Sequence, residues 1–281
     1  MPPSNTAAWI TAEKANPLEL KPAPYVQPAA NQIVIKNLAV ALNLVDWSRQ
    51  DLGASLFGWT KYPAIFGSDV SGTVEKVGSS VTRLKLGDRV VAHADETTNN
   101  DPSQGAFQNY VVVDSHMASR IPDSLSYESA SVIPLYPSAS ISFVTTEASN
   151  RQDASRLEWC IGTLKDKTMA GGFAVGNGSP TPVIEIISKL NGTKFVASAN
   201  PNIGSPPPDD IGFKFVFGTS LRENEVGPAI YENFLTKALA DGTFLAKPDA
   251  DVVGHGLSDI QKGLDILKKG VSAKKIVISL A

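Results

Sequence analysis

The chain has few of the residues on which several classes of protein depend. It contains one cysteine and three histidines among 281 residues. A single cysteine excludes an intramolecular disulfide framework and any cysteine-rich zinc site. The formal net charge of −3 provides no basic footprint for nucleic acid or for an anionic membrane surface. The composition therefore argues against nucleic-acid-binding, membrane-surface and disulfide-rich secreted proteins.

Long apolar runs and targeting signals are missing as well. No run of about 18 apolar residues is available to span a bilayer. The N-terminus has no basic stretch followed by an apolar one, so no signal peptide is predicted. The hydrophobic fraction of 42% and the charged fraction of 19% are ordinary for a globular protein. We therefore expect a cytosolic protein of one or two domains with no membrane partner.

Short alternating apolar runs, separated by glycine and aspartate turns, fill the N-terminal half. The strands predicted there are Gln32–Val40, Val70–Val77, Arg89–His93 and Phe107–Val113. The polar segment 96–104 is predicted to be a surface loop. This pattern predicts a compact, antiparallel, barrel-like domain.

Strands and helices alternate after residue 170. The predicted strands are Gly171–Val175, Lys194–Ser198, Phe213–Phe217 and Lys275–Leu280. The predicted helices are Pro182–Leu190, Asn224–Ala240 and Leu257–Lys268. Such alternation is typical of a parallel sheet with helices on its faces. The sequence thus predicts an α/β protein in which a β-rich domain precedes an incomplete doubly wound domain.

Several segments in the correct order resemble the medium-chain dehydrogenase/reductase superfamily. Residues 66–94 read FGSDVSGTVEKVGSSVTRLKLGDRVVAHA, which matches the signature of its substrate domain. ALNLVDWSRQD at 41–51 and GAFQNYVVVDSHMASRIPDSLSYESASVIPL at 105–135 are similar to further family motifs. The segment 213–280 resembles fungal zinc-independent members, including trans-acting enoyl reductases.

The resemblance implies both the domains and the chemistry. It implies a GroES-like barrel domain at 1–135, completed by about 245–281, and a truncated Rossmann-like domain at 136–244. Family members bind NADPH and deliver its hydride to the β-carbon of an activated alkene. The implied function is NADPH-dependent reduction of an enone or enoyl group in fungal secondary metabolism. The implied partners are a polyketide-like substrate and a polyketide synthase, with the protein itself a monomer or homodimer.

Zinc is not expected. Zinc-using relatives place cysteine and histidine at positions that match Leu44 or Val45 and Ser68. None of these three is a zinc ligand, and the three histidines of the chain show no ligand spacing. The resemblance therefore implies a zinc-independent protein with no metal site.

The glycine-rich phosphate loop of the family is absent. No G-x-G-x-x-G occurs, and only 35 residues separate Pro134 from Ala170. One βαβ unit takes roughly 30 or more residues, whereas the intact family places about two units there. The backbone N–H groups that cradle a pyrophosphate are therefore missing. Three hypotheses stay open: a reductase with a rebuilt cofactor site, a cofactor-free catalyst or binding partner, and an inactive remnant.

The resemblance assigns cofactor-binding residues by position. Those that match the nicotinamide end are Asn43, Asp46, Arg49, Ala174, Val175, Lys275 and Ile276. Ser149 and Asn150 match the segment that contacts the adenosine 2′-phosphate, for which hydroxyl and amide donors are suited. Alternatives are a turn-capping carboxylate for Asp46, a solvated loop for 149–150 and a plain surface charge for Lys275.

Substrate-binding residues are assigned in the same way. The matching positions are Pro134, Leu135, Ser138, Phe217, Gly218 and Leu221. Tyr136 lies in the first of these segments and is the catalytic candidate. Its phenolic hydroxyl can donate to a carbonyl oxygen or return a proton. The alternative for Tyr136 is a packed aromatic side chain.

Overall fold

The computed structural model describes residues 3–134, 158, 161–169, 171–174, 180–199 and 206–281. The chain divides into two compact units, the first made of 1–135 and 221–281 and the second of 136–220. Residues 221–244, which the sequence places in the second domain, thus pack with the first unit, because Tyr231 and Leu235 belong to its core. The domain boundaries otherwise stay a prediction.

The strands are numbered in chain order over the described residues. They are β1 (Asn5–Ile10), β2 (Glu19–Ala23), β3 (Gln32–Ala41), β4 (Ala64–Ile65), β5 (Asp69–Val77), β6 (Arg89–His93), β7 (Tyr110–Asp114), β8 (Ala118–Arg120), β9 (Thr168–Met169), β10 (Gly172–Ala174), β11 (Asn191–Gly192), β12 (Phe195–Ser198), β13 (Gly212–Phe215), β14 (Asp249–His255) and β15 (Lys274–Ser279). The longer α-helices are Leu44–Leu52, Thr181–Ser188 and Ile260–Lys268, with shorter ones at Glu96–Asn99 and Tyr127–Ser131.

The first unit is built on a seven-stranded sheet. Its order is β14-β15-β3-β5-β6-β8, and β7 pairs with the other end of β3. All pairs are antiparallel except β14 with β15. A smaller antiparallel sheet has the order β2-β1-β4. The β-rich N-terminal domain predicted from the alternating pattern is therefore confirmed.

Two glycines of the signature segment are required by close approaches. Gly67 has a φ of 92°, and a Cβ there would lie 2.4 Å from the Phe107 ring. A Cβ on Gly72 would lie 2.0 Å from the carbonyl oxygen of Lys36 on the neighbouring strand. Gly72 therefore permits the tight pairing of β3 with β5, whereas Gly67 makes room for the Phe107 ring.

Two predictions from the pattern are wrong. The polar segment 96–104 is not a solvated loop, because it forms the helix Glu96–Asn99 and the 3-10 turn Pro102–Gln104 and buries Glu96. The single helix predicted for Asn224–Ala240 is instead a π-helix at Ala229–Phe234 between two short α-helices. Pro228 contributes to this break, because it has no N–H for a regular helical hydrogen bond.

The described part of the second unit contains a three-stranded parallel sheet in the order β10-β12-β13 and a separate parallel pair of β9 with β11. The helix Thr181–Ser188 joins β10 to β12, which makes a βαβ unit. Its apolar residues pack together in a small core of Val183, Ile184, Ile187, Val196 and Ile211. The alternation of strands and helices predicted after residue 170 is thus confirmed, and the protein is a mixed α/β protein. Within the described ranges, no helix is long and apolar enough to cross a membrane.

Candidate functional site

A corner at the end of β3 brings the predicted nicotinamide residues together. The Leu42 N–H donates to the Ile276 carbonyl oxygen at 2.9 Å, which ties this corner to β15. Asn43 then caps the helix Leu44–Leu52. Its backbone N–H donates to the Asp46 carboxylate at 2.7 Å, and the Asp46 N–H donates to the Asn43 carbonyl at 3.0 Å. Asp46 therefore makes the contacts expected of a capping carboxylate, which is the alternative to its predicted cofactor role.

Lys275 adds a cation to this corner. Its Nζ lies 3.0 Å from the Asp69 carboxylate, and it also donates to the Asn43 side-chain oxygen. The Asp69 side chain is fully buried, whereas that of Lys275 is 14% exposed. The structure thus brings Asn43, Asp46, Lys275 and Ile276 together, as their shared assignment predicts.

Sequence reasoning missed Asp69 and His93, which complete the cluster. Asp69 begins β5 and His93 ends β6, and the two are direct partners in the register. Their side chains therefore lie on the same face of the sheet. His93 is 2% exposed, and neither ring nitrogen has a hydrogen-bond partner within the described part of the chain. The sequence signal that could have identified them is a polar residue at the end of each of two apolar strands.

Burial controls the ionisation of this cluster. It raises the pKa of Asp46 to about 7, with the Asp69 charge acting in the same direction and Asn43, Arg49 and Lys275 opposing. Burial lowers the pKa of His93, although the carboxylates of Asp69 and Asp95 oppose that shift. The imidazole is therefore neutral near neutral pH, with one N–H to donate and one nitrogen to accept.

Two predicted substrate residues lie in the core of the first unit. The Tyr231 hydroxyl donates to the Pro134 carbonyl oxygen at 2.8 Å. Tyr231 is fully buried, and burial together with the Asp69 charge raises its pKa well above the usual range. Leu221 is also buried in this core. The sequence did not single out Tyr231, because its environment depends on how the helical segment packs.

Arg49 lies on the same helix as Asp46 but points its charge at internal partners. It forms an ion pair with Glu96 at 2.9 Å, with both side chains at most 3% exposed. The guanidinium carbon stacks 3.8 Å from the centre of the Phe66 ring, and Thr97 accepts a hydrogen bond at 3.0 Å. Burial raises the pKa of Glu96, and Arg49 opposes that shift. A cofactor role for Arg49 stays a prediction.

The remaining predicted residues are in the second unit or outside the described residues. Ala174 ends β10, Gly218 begins a 3-10 helix, and the Phe217 ring centre lies 6.3 Å from that of Phe215. Outside the described residues are Leu135, Tyr136, Ser138, Ser149, Asn150 and Val175. The site assignments as a set therefore stay predictions.

The cluster offers donors that suit the nicotinamide end of a dinucleotide. The Asn43 side-chain nitrogen is buried without a partner, and His93 has an unused N–H. Amide and imidazole donors match the carboxamide and hydroxyl oxygens of a nicotinamide riboside. Residues 175–179, which follow β10 in the sequence, lie outside the described residues. Among residues that the structure describes, no cluster of histidine, cysteine and acidic side chains is arranged to hold a metal ion.

Comparison with known proteins agrees with this architecture. The family model of the alcohol dehydrogenase GroES-like domain matches residues 29–123. Dehydrogenase pigH of Monascus ruber is 36% identical, over 99% of this chain and 100% of that protein. Zinc-binding alcohol dehydrogenase domain-containing protein cipB of Emericella nidulans is also 36% identical, over 99% and 98%. Trans-enoyl reductase himH of Aspergillus japonicus is 29% identical, over 99% and 98%.

Solved structures show the same fold at low identity. An alcohol dehydrogenase superfamily protein from Novosphingobium aromaticivorans has a TM-score of 0.70 at 18% identity, covering 99% of this chain and 100% of its own. CurK enoyl reductase has a TM-score of 0.69 at 13% identity, covering 99% of both chains. A mycobacterial protein complexed with NADPH has a TM-score of 0.69 at 16% identity, covering 99% and 100%.

The alignments with these relatives are longer than this chain. The alignment with the Monascus protein extends over 368 positions, whereas this chain has 281 residues. The relative therefore has segments that this chain lacks. The GroES-like domain and the whole-length relatives nevertheless confirm the resemblance: the chain belongs to the medium-chain dehydrogenase/reductase superfamily, as an enoyl reductase-like oxidoreductase.

Proposed function

We propose that the protein is a zinc-independent reductase that uses NADPH to reduce an activated carbon–carbon double bond in the cytosol. The observation that carries this proposal is the donor-rich cluster of Asn43, His93 and Lys275 at the end of β3. The relatives named dehydrogenase and trans-enoyl reductase support the reaction class. The substrate that we propose is an enone or polyketide-like compound of fungal secondary metabolism, and the proposed partner is a polyketide synthase.

Bound NADPH would supply the hydride for this reaction. Asn43 would bind an oxygen of the nicotinamide end, because Asp46 and Lys275 hold its backbone and side chain. The buried His93 would donate to a second oxygen. These contacts would orient the nicotinamide ring, and neither side chain would have to move during the reaction. Such preorganisation reduces the activation barrier.

Titration of the purified chain with NADPH tests the proposal. Energy transfer from tryptophan would report binding, since Trp47 lies on the helix that Asn43 caps. We expect saturable binding in the micromolar range, followed by NADPH consumption when a simple enone is added. NADH is the matched control ligand, because it lacks the 2′-phosphate that Ser149 and Asn150 are predicted to contact. A folded protein that binds no NADPH at millimolar concentration would contradict the proposal.

A cofactor-free derivative is the second candidate. It is favoured by one observation, namely that the aligned relative has segments absent from this chain. Such a protein would bind a carbonyl compound without any NADPH and would act as a non-redox catalyst or binding partner. An inactive remnant would bind neither ligand, so the same titration, repeated with a ketone, separates all three hypotheses.

A further inference from the structure

Lys275 uses only part of its hydrogen-bonding capacity. An ammonium group has three N–H donors, and the contacts of Lys275 are with Asp69 and Asn43. The part of the chain that the structure describes offers no third acceptor to this nitrogen. The side chain also keeps 14% exposure, whereas Asn43, Asp69 and His93 are each at most 4% exposed. Lys275 is therefore the member of the cluster that a bound molecule can reach.

Buried neighbours hold this ammonium group in place. Asp69 is fully buried at the start of β5, and a buried carboxylate is costly unless a cation stays beside it. Asn43, the other acceptor, is itself held by the Asp46 carboxylate. His93 lies opposite Asp69 in the register. The Asp69 carboxylate on β5 and the Asn43 side chain at the helix N-cap thus hold the lysine in place and leave part of its N–H capacity for a ligand.

We propose that Lys275 donates a hydrogen bond to the carbonyl oxygen that activates the substrate double bond, with Asp69 and Asn43 as positioning residues. This inference rests on the proposed function. A nearby ammonium group stabilises negative charge that develops on oxygen, and such stabilisation is among the largest contributions to catalysis.

The reaction balances with NADPH as the reductant. The hydride forms a C–H bond at the β-carbon, and the alkene electron pair moves between the α-carbon and the carbonyl carbon. The carbonyl electron pair then resides on the oxygen, where Lys275 donates its hydrogen bond. A proton from water forms the C–H bond at the α-carbon and the carbonyl group re-forms. Bound NADPH would supply the two electrons, and the alkene would be reduced.

Two oxygens can accept the hydrogen bond from Lys275, namely the carbonyl oxygen of the substrate and the carboxamide oxygen of nicotinamide. Separate calorimetric titrations of the full chain with a saturated ketone and with NADPH distinguish them. We expect Lys275→Met to weaken ketone binding about 10- to 100-fold, the effect of one charge-assisted hydrogen bond, and to lower kcat/KM for an enone similarly. NADPH affinity should fall by a smaller factor than ketone affinity, because Lys275 acts on the nicotinamide end through the Asn43 side chain. The matched control is Lys274→Met, because Lys274 is exposed and pairs with Asp251 at 3.4 Å.

A second variant keeps the test valid if Lys275→Met does not fold. The double variant Lys275→Met with Asp69→Asn removes both charges together and avoids a buried carboxylate without its cation. Ketone binding equal to that of the wild type in a folded variant would overturn the inference. A loss confined to NADPH binding would assign the donor to the carboxamide and overturn the substrate role.

The wild type separates this inference from the proposed function. If it binds ketone in a Lys275-dependent way but binds no NADPH, the redox function fails and the carbonyl site stands. If it binds NADPH while Lys275→Met changes neither titration, the function stands and the inference fails. A wild type that binds neither ligand overturns both.

Discussion

Asp46 is a residue at which folding changes an ionisation. Its carboxyl group is 1% exposed, and burial raises its pKa to about 7. An unfolded aspartate titrates near 3.9. Between these two values the folded state binds more protons than the unfolded state, so the contribution of Asp46 to the free energy of unfolding falls as the pH rises. That contribution is complete below about pH 4 and is lost as the pH rises to about 7.

We expect Asp46→Asn to remove this pH dependence. The free energy of unfolding of the variant should rise relative to that of the wild type as the pH rises from about 4.5 to 7.5, by at most about 1.4 kcal/mol per pH unit. Urea unfolding of both proteins across this range measures the difference. Glu96 and Asp95 also have raised pKa values, but they are common to both proteins and cancel in the comparison. Parallel stability curves would contradict the expected role of Asp46.

Resemblance predicted part of the cluster residue by residue, and the fold supplied the rest. Asn43, Asp46 and Lys275 were identified because they occupy matching positions in family segments. Asp69 and His93 were not, because their importance depends on the register of β5 with β6 rather than on either segment alone. Pairing between strands is set by the whole sheet, so single-residue reasoning could not recover it.

At the scale of elements, the alternating pattern located strands more reliably than it described helices. The predicted strand Arg89–His93 has the bounds found in the structure. The segment Asn224–Ala240 kept its helical character but not its regular hydrogen bonding. Apolar periodicity reports which face is buried, and it does not distinguish α from π geometry within a turn or two.

A substitution at Gly72 tests whether the close approach of β3 and β5 requires a residue without a side chain. We expect Gly72→Ala to lower the free energy of unfolding by about 1–3 kcal/mol, because the added methyl group would overlap the Lys36 carbonyl oxygen and force the strands apart. The control is Gly162→Ala, since Gly162 is exposed and a Cβ there meets nothing within 4 Å. Urea unfolding of the two variants provides the comparison. Equal effects would show that the close approach carries no cost.

At the scale of the whole molecule, the described residues of the two units differ in the amount of apolar core that they form. The first unit has a large continuous cluster that includes β3, β5 and β15. In the described part of the second unit, the buried apolar residues form two small clusters. The sequence predicts only that the second domain is incomplete, because the interval between Pro134 and Ala170 is short for the family. The packing of the second unit depends on contacts between segments, so it cannot be predicted from one segment of the sequence.

We expect hydrogen exchange to follow the core. Amides of β3 should exchange much more slowly than those of β12, because local opening costs less where few apolar contacts must separate. Mass spectrometry of peptides that cover Gln32–Ala41 and Phe195–Ser198 measures this contrast. The exposed strand β2 of the first unit serves as the fast-exchanging reference. Equal protection of β3 and β12 would mean that the two units open together.

The bond between Asn43 and Lys275 joins residues 232 positions apart. A ribosome adds about 5–20 residues per second, so Asn43 emerges tens of seconds before its partner exists. During that time β3 has no β15 beside it, and the Asp69 carboxylate has no ammonium group to neutralise it. The candidate site is therefore assembled last, after nearly all of the surrounding protein has been made.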